Sequence, residues 1–216
     1  MATLAELRAL VSANVQNASF NTTTIDSYLN RGVTEIAGGM PSTLGSFITP
    51  PLPDLFTIAT VATVTNAAYV SMPATFQRNL QFVSDSNGIE VDIANSMIEF
   101  SSDYPLMNGS GSVESVIEQG GNIYYQRIPT AAMTLTLHFY RLPVDMSLTT
   151  SVPDGIPSSL AVPLLVNYAC KEIFSIIEAG QKTQLKMLKH IEMFNAALRQ
   201  LELSIPFDSR SLFLGD

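Results

Sequence analysis

The stretch from Pro157 to Glu202 constrains this chain more than any other. It carries two long helical patterns, Leu160 to Ala179 and Thr183 to Glu202, meeting at Gly180. In the second, Met187, Ile191, Phe194, Leu198 and Leu201 recur at alternating spacings of four and three, which lays a narrow apolar seam along one face. In the first, Val162, Leu165, Val166, Ala169, Ile173, Ile176 and Ile177 form a face too wide to leave in water. Gly180 stands where the first helix should stop, since glycine takes the left-handed conformation at little cost. So short a link predicts an antiparallel hairpin. Apolar surface is left over, and the N-terminal part of the chain is the obvious cover.

That N-terminal part reads as a second helical pair. Thr3-Leu4-Ala5-Glu6 is a capping box, followed at helical spacing by Leu4, Leu7, Leu10 or Val11, and Val15, as far as about Gln16. Thr23-Thr24-Ile25-Asp26 offers a second helix start, and Ile25, Tyr28, Leu29, Val33 and Ile36 supply its buried face. Gly38, Gly39 and Pro41 end it. Gly32 inside this helix costs ~1 kcal/mol against alanine, which a close approach by another helix would explain.

Between the two pairs the period changes from helical to alternating. Residues 55–143 form a β region of six or seven strands. Threonine and β-branched residues from Thr57, and Tyr69 to Met72, give the first two. Asn79 to Ser84 and Ile89 to Ile93 flank an Asp85-Ser86-Asn87-Gly88 turn. Asn95 to Asp103 suits a short helix. Val113 to Gln119 and Asn122 to Ile128 flank Gly120-Gly121, a hairpin signature because paired glycines permit positive φ. Thr134 to Arg141 alternates Leu135, Leu137 and Phe139 against Thr136, His138 and Tyr140. The organisation is therefore 1–40 helical pair, 41–54 linker, 55–143 inserted β domain, 144–156 linker, 157–202 helical hairpin and 203–216 C-terminal arm. The fold class is α+β.

Charge narrows the function. The formal net charge is −8, which opposes wrapping or reading nucleic acid, because that needs clustered Lys and Arg. Charged residues are only 14% of the chain, against a usual ~25%, so either Ser, Thr, Asn and Gln cover much of the exterior or part of it is buried against other subunits. The charge is also segregated. Asn79 to Gln126 holds seven acids (Asp85, Glu90, Asp92, Glu99, Asp103, Glu114, Glu118) and no Lys or Arg, while from Lys182 to Arg199 four bases (Lys182, Lys186, Lys189, Arg199) stand against a single acid, Glu192. Ordinarily such runs are solvated faces.

Motifs for chemistry are absent from the sequence. His138 and His190 sit in different elements, with no metal-ligand spacing around them. No nucleophile elbow, His-Glu-x-x-His, Walker loop or dinucleotide fingerprint occurs. Asn108-Gly-Ser-Gly-Ser lacks the following Lys of a phosphate loop. Glu90 and Asp92 share a strand face without the loop that a calcium site needs. Cys170, the single cysteine, falls inside an apolar helix pattern and reads as a structural thiol. No catalytic residue, metal or cofactor is expected. Neither a signal peptide nor a membrane span is read from the chain.

The order of elements resembles the head-to-tail adaptor (connector, or head completion) proteins of tailed bacteriophages. Ile25 to Ala37, with its Leu29-Asn30 pair, resembles their second helix. Tyr69-Val-Ser-Met-Pro-Ala-Thr-Phe76 resembles a short proline-containing segment in which an acid is common where Ala74 stands. Gly121 to Pro129, then Met133 to Pro143 closing on Tyr140-Arg-Leu-Pro143, resembles their paired strands. Asp154-Gly-Ile-Pro157 leading into the long helix resembles the start of their C-terminal hairpin.

The resemblance implies a four-helix bundle with the β domain inserted between its second and third helices, and an extended C-terminal tail. It implies a structural virion protein at the head–tail junction, made in the host cytoplasm and forming a ring, twelve-fold in this family, beneath the portal protein. Its partners would be portal, tail proteins (nozzle or tail tube) and further copies of itself. Genomic DNA would pass through without sequence-specific binding, and no membrane is involved. The tail would place Phe207, Arg210, Leu212, Phe213 and Leu214 against the portal. Lys182, Lys186 and Lys189 would face portal or a neighbouring subunit, and Glu90, Asp92, Glu99, Glu114 and Glu118 the channel or the tail. The alternative is a binding module whose β insert grips a carbohydrate or another ligand. Association with portal or with itself separates the two.

Overall fold

The protein is described from a computed structural model over residues 2–17, 19–41, 48–105, 107–177 and 181–205. Its described part is mixed α+β, with five α-helices and two sheets. The chain divides into two compact units: the described residues of Met1–Leu55 and Leu142–Ser211 form one, and Phe56–Arg141 lies in the other.

In the first unit, α1 (Leu4–Val15) starts at the capping box: Thr3 Oγ1 accepts from the Glu6 N–H at 3.4 Å, and Glu6 Oε2 accepts from the Thr3 N–H at 2.9 Å. Leu4, Leu7, Val11 and Val15 are buried, so Val11 rather than Leu10 belongs to the core. Asn21, not a threonine, caps α2 (Thr22–Gly38): its Oδ1 accepts from the Thr24 N–H at 2.9 Å, starting the helix earlier than the Thr23 signal implied. Ile25, Leu29, Val33 and Ile36 face inward, while Tyr28 is only half-buried.

The 144–156 stretch, read as a linker, is tied to these helices. The Leu4 and Ala5 N–H groups, which the first turn of a helix leaves without an internal partner, donate to Ser151 and Thr149 carbonyls at 2.8 and 3.1 Å. Asn30 bonds both backbone groups of Met146, at 3.2 and 2.9 Å.

The first C-terminal helix departs from the single run expected. Residues Val162–Val166 form a wide π turn that passes into α4 (Asn167–Ile176). Pro163 has no N–H to give, and its carbonyl is taken by the Asn167 side chain at 2.6 Å. Val162 and Ile176, both assigned to the apolar face, are exposed, whereas Leu164, Tyr168, Cys170 and Phe174 join Leu165, Ala169 and Ile173 in the core. The described helix ends at Ile176, short of Ala179, with Ile177 already extended at ψ 129°. Gly180 lies outside the described residues.

α5 (Gln181–Ser204) follows, and it packs on α4. Phe194, Leu198 and Leu201 of the seam are buried, and Met187 and Ile191 are half-buried. Helix α4 also packs on α1 and α2. Its approach to α2 accounts for Gly32: a Cβ there would meet Tyr168 Cδ1 at 2.7 Å.

The second unit holds seven strands: β1 (Phe56–Ala62), β2 (Tyr69–Ser71), β3 (Phe76–Ser84), β4 (Asp92–Ile93), β5 (Ser115–Gln119), β6 (Asn122–Tyr125) and β7 (Thr134–Arg141). A three-stranded sheet has the order β1-β7-β3, and a four-stranded sheet the order β2-β6-β5-β4. Val83, Leu135, Leu137 and Phe139 from the first sheet share one core with Val116, Ile123 and Tyr125 from the second. Inward-facing Leu135, Leu137 and Phe139 are fully buried, which is why β7 takes the central place. Gly120 and Gly121 take φ 61° and 78° in the β5–β6 turn, the paired positive values of the tightest hairpins.

The expected hairpin around Asp85 to Gly88 is cut short. The Asp85 carboxylate caps the turn by accepting from the Asn87 and Ile89 N–H groups at 2.8 and 2.9 Å. Ser84 and Glu90 form one bridge, after which β4 pairs parallel with β5 in the other sheet. The short helix expected in Asn95 to Asp103 is α3 (Met97–Asp103), capped by Ser96.

Candidate functional surfaces

The basic face lies on α5. Lys182, Lys186 and Lys189 recur at spacings of four and three and are all exposed. Leu185 and Leu188 stand among them at 63% and 51% exposure. The outer side of α5 is therefore a mixed basic and apolar surface rather than a purely solvated one. The apolar half of it was missed in the sequence.

The acids are only partly brought together. The Asp92 N–H donates to the Glu114 carbonyl at 3.0 Å, and Glu90 is two residues from Asp92, so these three lie at one end of the β4–β5 pair. All three are exposed. Glu118 sits near the other end of β5, where it accepts from the Gly121 N–H at 3.3 Å. Glu99 is in the first turn of α3, where a negative charge suits the helix dipole. Both have local structural work apart from the cluster. Asp85 has a similar role, and backbone bonds from Ile89 hold its carboxyl below the usual range.

The three-stranded sheet presents an aromatic outer face. Phe56 packs edge-on to Tyr140 at 5.7 Å and to His138 at 5.9 Å, and Phe82 meets His138 at 5.2 Å. His138 is thus a member of an aromatic cluster. Sequence alternation could have found this face by asking which residues flank His138 on neighbouring strands.

A cleft of about 390 Å³ opens in the helical unit between α4 and α5. Lys171, Glu172, Met187, Ile191 and Phe194 are among its walls. Its polar wall is an ion pair, Lys171 Nζ to Glu172 at 2.5 Å, and Lys171 lies over the Tyr168 ring at 4.4 Å. Beneath it, His190 Nδ1 is 2.7 Å from Asn167 Oδ1. Burial, with Lys189 and Lys186 nearby, holds the imidazole below its ordinary pKa. Burial pushes the Cys170 thiol up to about 12, so at neutral pH it is an inert thiol. Among the described residues, no three His, Cys, Asp or Glu side chains converge to hold a metal, and no helix is long and apolar enough to cross a membrane.

A family model described as SU10 adaptor protein matches residues 2–211. The chain belongs to that family. The match spans both helical pairs and the β region, so it covers the stretches on which the resemblance to phage head-to-tail adaptors rests. The protein is accordingly a phage adaptor, and a structural role agrees with that membership. No individual curated protein matches the chain. The five tail residues assigned to the portal contact, Phe207, Arg210, Leu212, Phe213 and Leu214, lie outside the described residues.

Proposed function

We propose that this adaptor is a structural virion protein at the head–tail junction, that it forms a ring beneath the portal, twelve-fold as in related adaptors, and that it extends the DNA channel and provides the platform for the tail. The family match over residues 2–211 carries the reading. In this reading α1, α2, α4 and α5 form a four-helix bundle into which the 55–143 domain is inserted. The exposed Lys182, Lys186 and Lys189 with Leu185 and Leu188 suit a protein partner, because basic and apolar groups together can both steer and desolvate a contact. The acids Glu90, Asp92 and Glu114, with Glu99 and Glu118 further off, suit a surface past which DNA moves, because they offer phosphates no counter-charge.

The test is co-assembly with the cognate portal, comparing full-length protein with a chain stopped after Ser204. The full-length protein is expected to bind as a ring, and the shortened chain to lose at least tenfold in affinity because Phe207, Leu212, Phe213 and Leu214 are gone. Failure of the full-length protein to bind portal or tail would sink the reading.

Charge reversal provides a second test. Converting Lys182, Lys186 and Lys189 to glutamate is expected to weaken assembly at least tenfold, mainly through slower association that is less sensitive to salt. Unchanged assembly would remove the basic face from the contact.

A further inference from the structure

The two outer strands of the three-stranded sheet differ in how their edges are guarded. On β3, the register with β7 shifts between Phe76 and Arg78 and again between Arg78 and Phe82, and Asn79 takes φ 54°. Arg78 adds charge, and the far end of β3 is occupied by the Val91 N–H on the Val83 carbonyl at 2.9 Å. Bulges, charge and cover are how proteins keep sheet edges from pairing with other chains. Among the described residues, β1 has none of these. It runs seven residues in unbroken register, from Phe56 opposite Tyr140 to Ala62 opposite Thr134, without charge, proline or bulge.

The direction of its free groups can be fixed. The Thr63 N–H donates to the Met133 carbonyl at 2.8 Å. With a repeat of two along a strand, the backbone groups of Thr57, Ala59 and Val61 point to β7, and those of Ile58, Thr60 and Ala62 point to the open edge. No described residue bonds those outward groups. The side chains of Phe56 and Ile58 are 44% and 57% exposed beside them.

We propose that the edge of β1 binds β1 of a second copy of this chain, antiparallel and two-fold about Thr60. Only an extended strand can satisfy a row of alternating N–H and C=O groups. The sequence of β1 is complementary to itself in this register. Thr60 lies opposite Thr60 of the partner subunit, a favoured cross-strand pair, and Ile58 lies opposite Ala62 of the partner subunit. Neither strand carries charge, so no like charges face each other along the strand pair, although each chain has a net charge of −8. A charged strand from another protein would find no counter-charge on β1. The result is one six-stranded sheet, β3-β7-β1 continued by β1-β7-β3. The contact closes at two copies, so it is a state of the free protein and does not rest on the ring. One strand pair buries less than the ~1,000 Å² of a stable interface, so the dimer is reversible.

The test uses the full-length chain with Thr60→Cys under mild oxidation. Directly opposed Cα atoms of a hydrogen-bonded antiparallel pair are ~5.5 Å apart, within disulfide reach. The control is Val64→Cys, similarly exposed at 52% but separated by ~27 Å across the two-fold at the strand rise per residue. Native Cys170 is buried and silent. Thr60→Cys should cross-link at least tenfold faster than Val64→Cys, and sedimentation should show a concentration-dependent dimer that Ile58→Lys weakens at least tenfold. Equal cross-linking of the two cysteine variants, a monomer up to ~0.5 mM, or a dimer indifferent to Ile58→Lys would each overturn the proposal.

Discussion

Replacing Gly32 with leucine is expected to destabilise the helical unit by about 3 kcal/mol or more, the upper range for overpacking a core. A Cβ at this position would lie 2.7 Å from Tyr168 Cδ1 and 3.1 Å from Cγ. The ring has no room to yield. Tyr168 is fully buried, lies edge-on to Phe194 at 5.8 Å, and carries Lys171 at 4.4 Å from its centre. Alanine sets two effects against each other: it gains ~1 kcal/mol of helix propensity and meets a clash costing ~1–3 kcal/mol. Gly32→Ala should therefore be destabilised by about 1 kcal/mol. Urea unfolding followed by far-ultraviolet dichroism would measure both, with the two units allowed to unfold separately. Combining Gly32→Ala with Tyr168→Leu should show a coupling of the two changes, because the smaller side chain removes the clash. An unchanged midpoint for Gly32→Leu would mean that α2 and α4 do not approach so closely.

Much of the local structure could be read from the chain because its signals are local. The Thr3–Glu6 box, the Gly120-Gly121 turn and the alternation of Thr134 to Arg141 each depend on residues a few positions apart. Ambiguity entered where two signals competed. Asn21 and Thr23 are both good caps, and only the first is used. Helix α5 carries two apolar rows. The row through Phe194, Leu198 and Leu201 is in the core, and Leu185 and Leu188 on the other side are not. Spacing alone cannot rank two such rows, because the choice depends on which helix arrives to cover one. The same holds for β1, whose alternation was visible but not its outward face. Pairings across long separations were illegible: β4 turning to join β5 in parallel, and His190 meeting Asn167. The π turn at Val162–Val166 breaks the register between Val162 and α4, and Val162 falls off the core face, while Ile176 is exposed at the last residue of α4.

Asn167→Ala is expected to cost about 2–4 kcal/mol, because it leaves one buried polar group unpaired at ~1–3 kcal/mol and removes a second side-chain bond worth ~0.5–1.5 kcal/mol. The buried group is His190 Nδ1, 2.7 Å from Oδ1, and the second bond runs from Asn167 Nδ2 to the part-buried Pro163 carbonyl at 2.6 Å. Since the amide nitrogen is spent on Pro163, Oδ1 accepts, and the imidazole must carry its proton on Nδ1. The ring also stacks on Phe174 at 5.6 Å. Burial, then Lys189 and Lys186, disfavour a second proton, so the folded-state pKa is below the ordinary value of 6.5. The sign of the pH effect follows. Below about pH 6.5 the unfolded chain binds a proton that the folded chain refuses. Stability therefore falls as pH drops, until the folded-state pKa is reached and the slope levels off. His190→Gln keeps a donor for Asn167 but cannot titrate, and should flatten the stability profile just below about pH 6.5. Carboxylates with lowered pKa, such as Asp85, act at still lower pH and would be unaffected. Parallel profiles for wild type and His190→Gln across that window would show that the buried imidazole is not what makes this unit acid-sensitive.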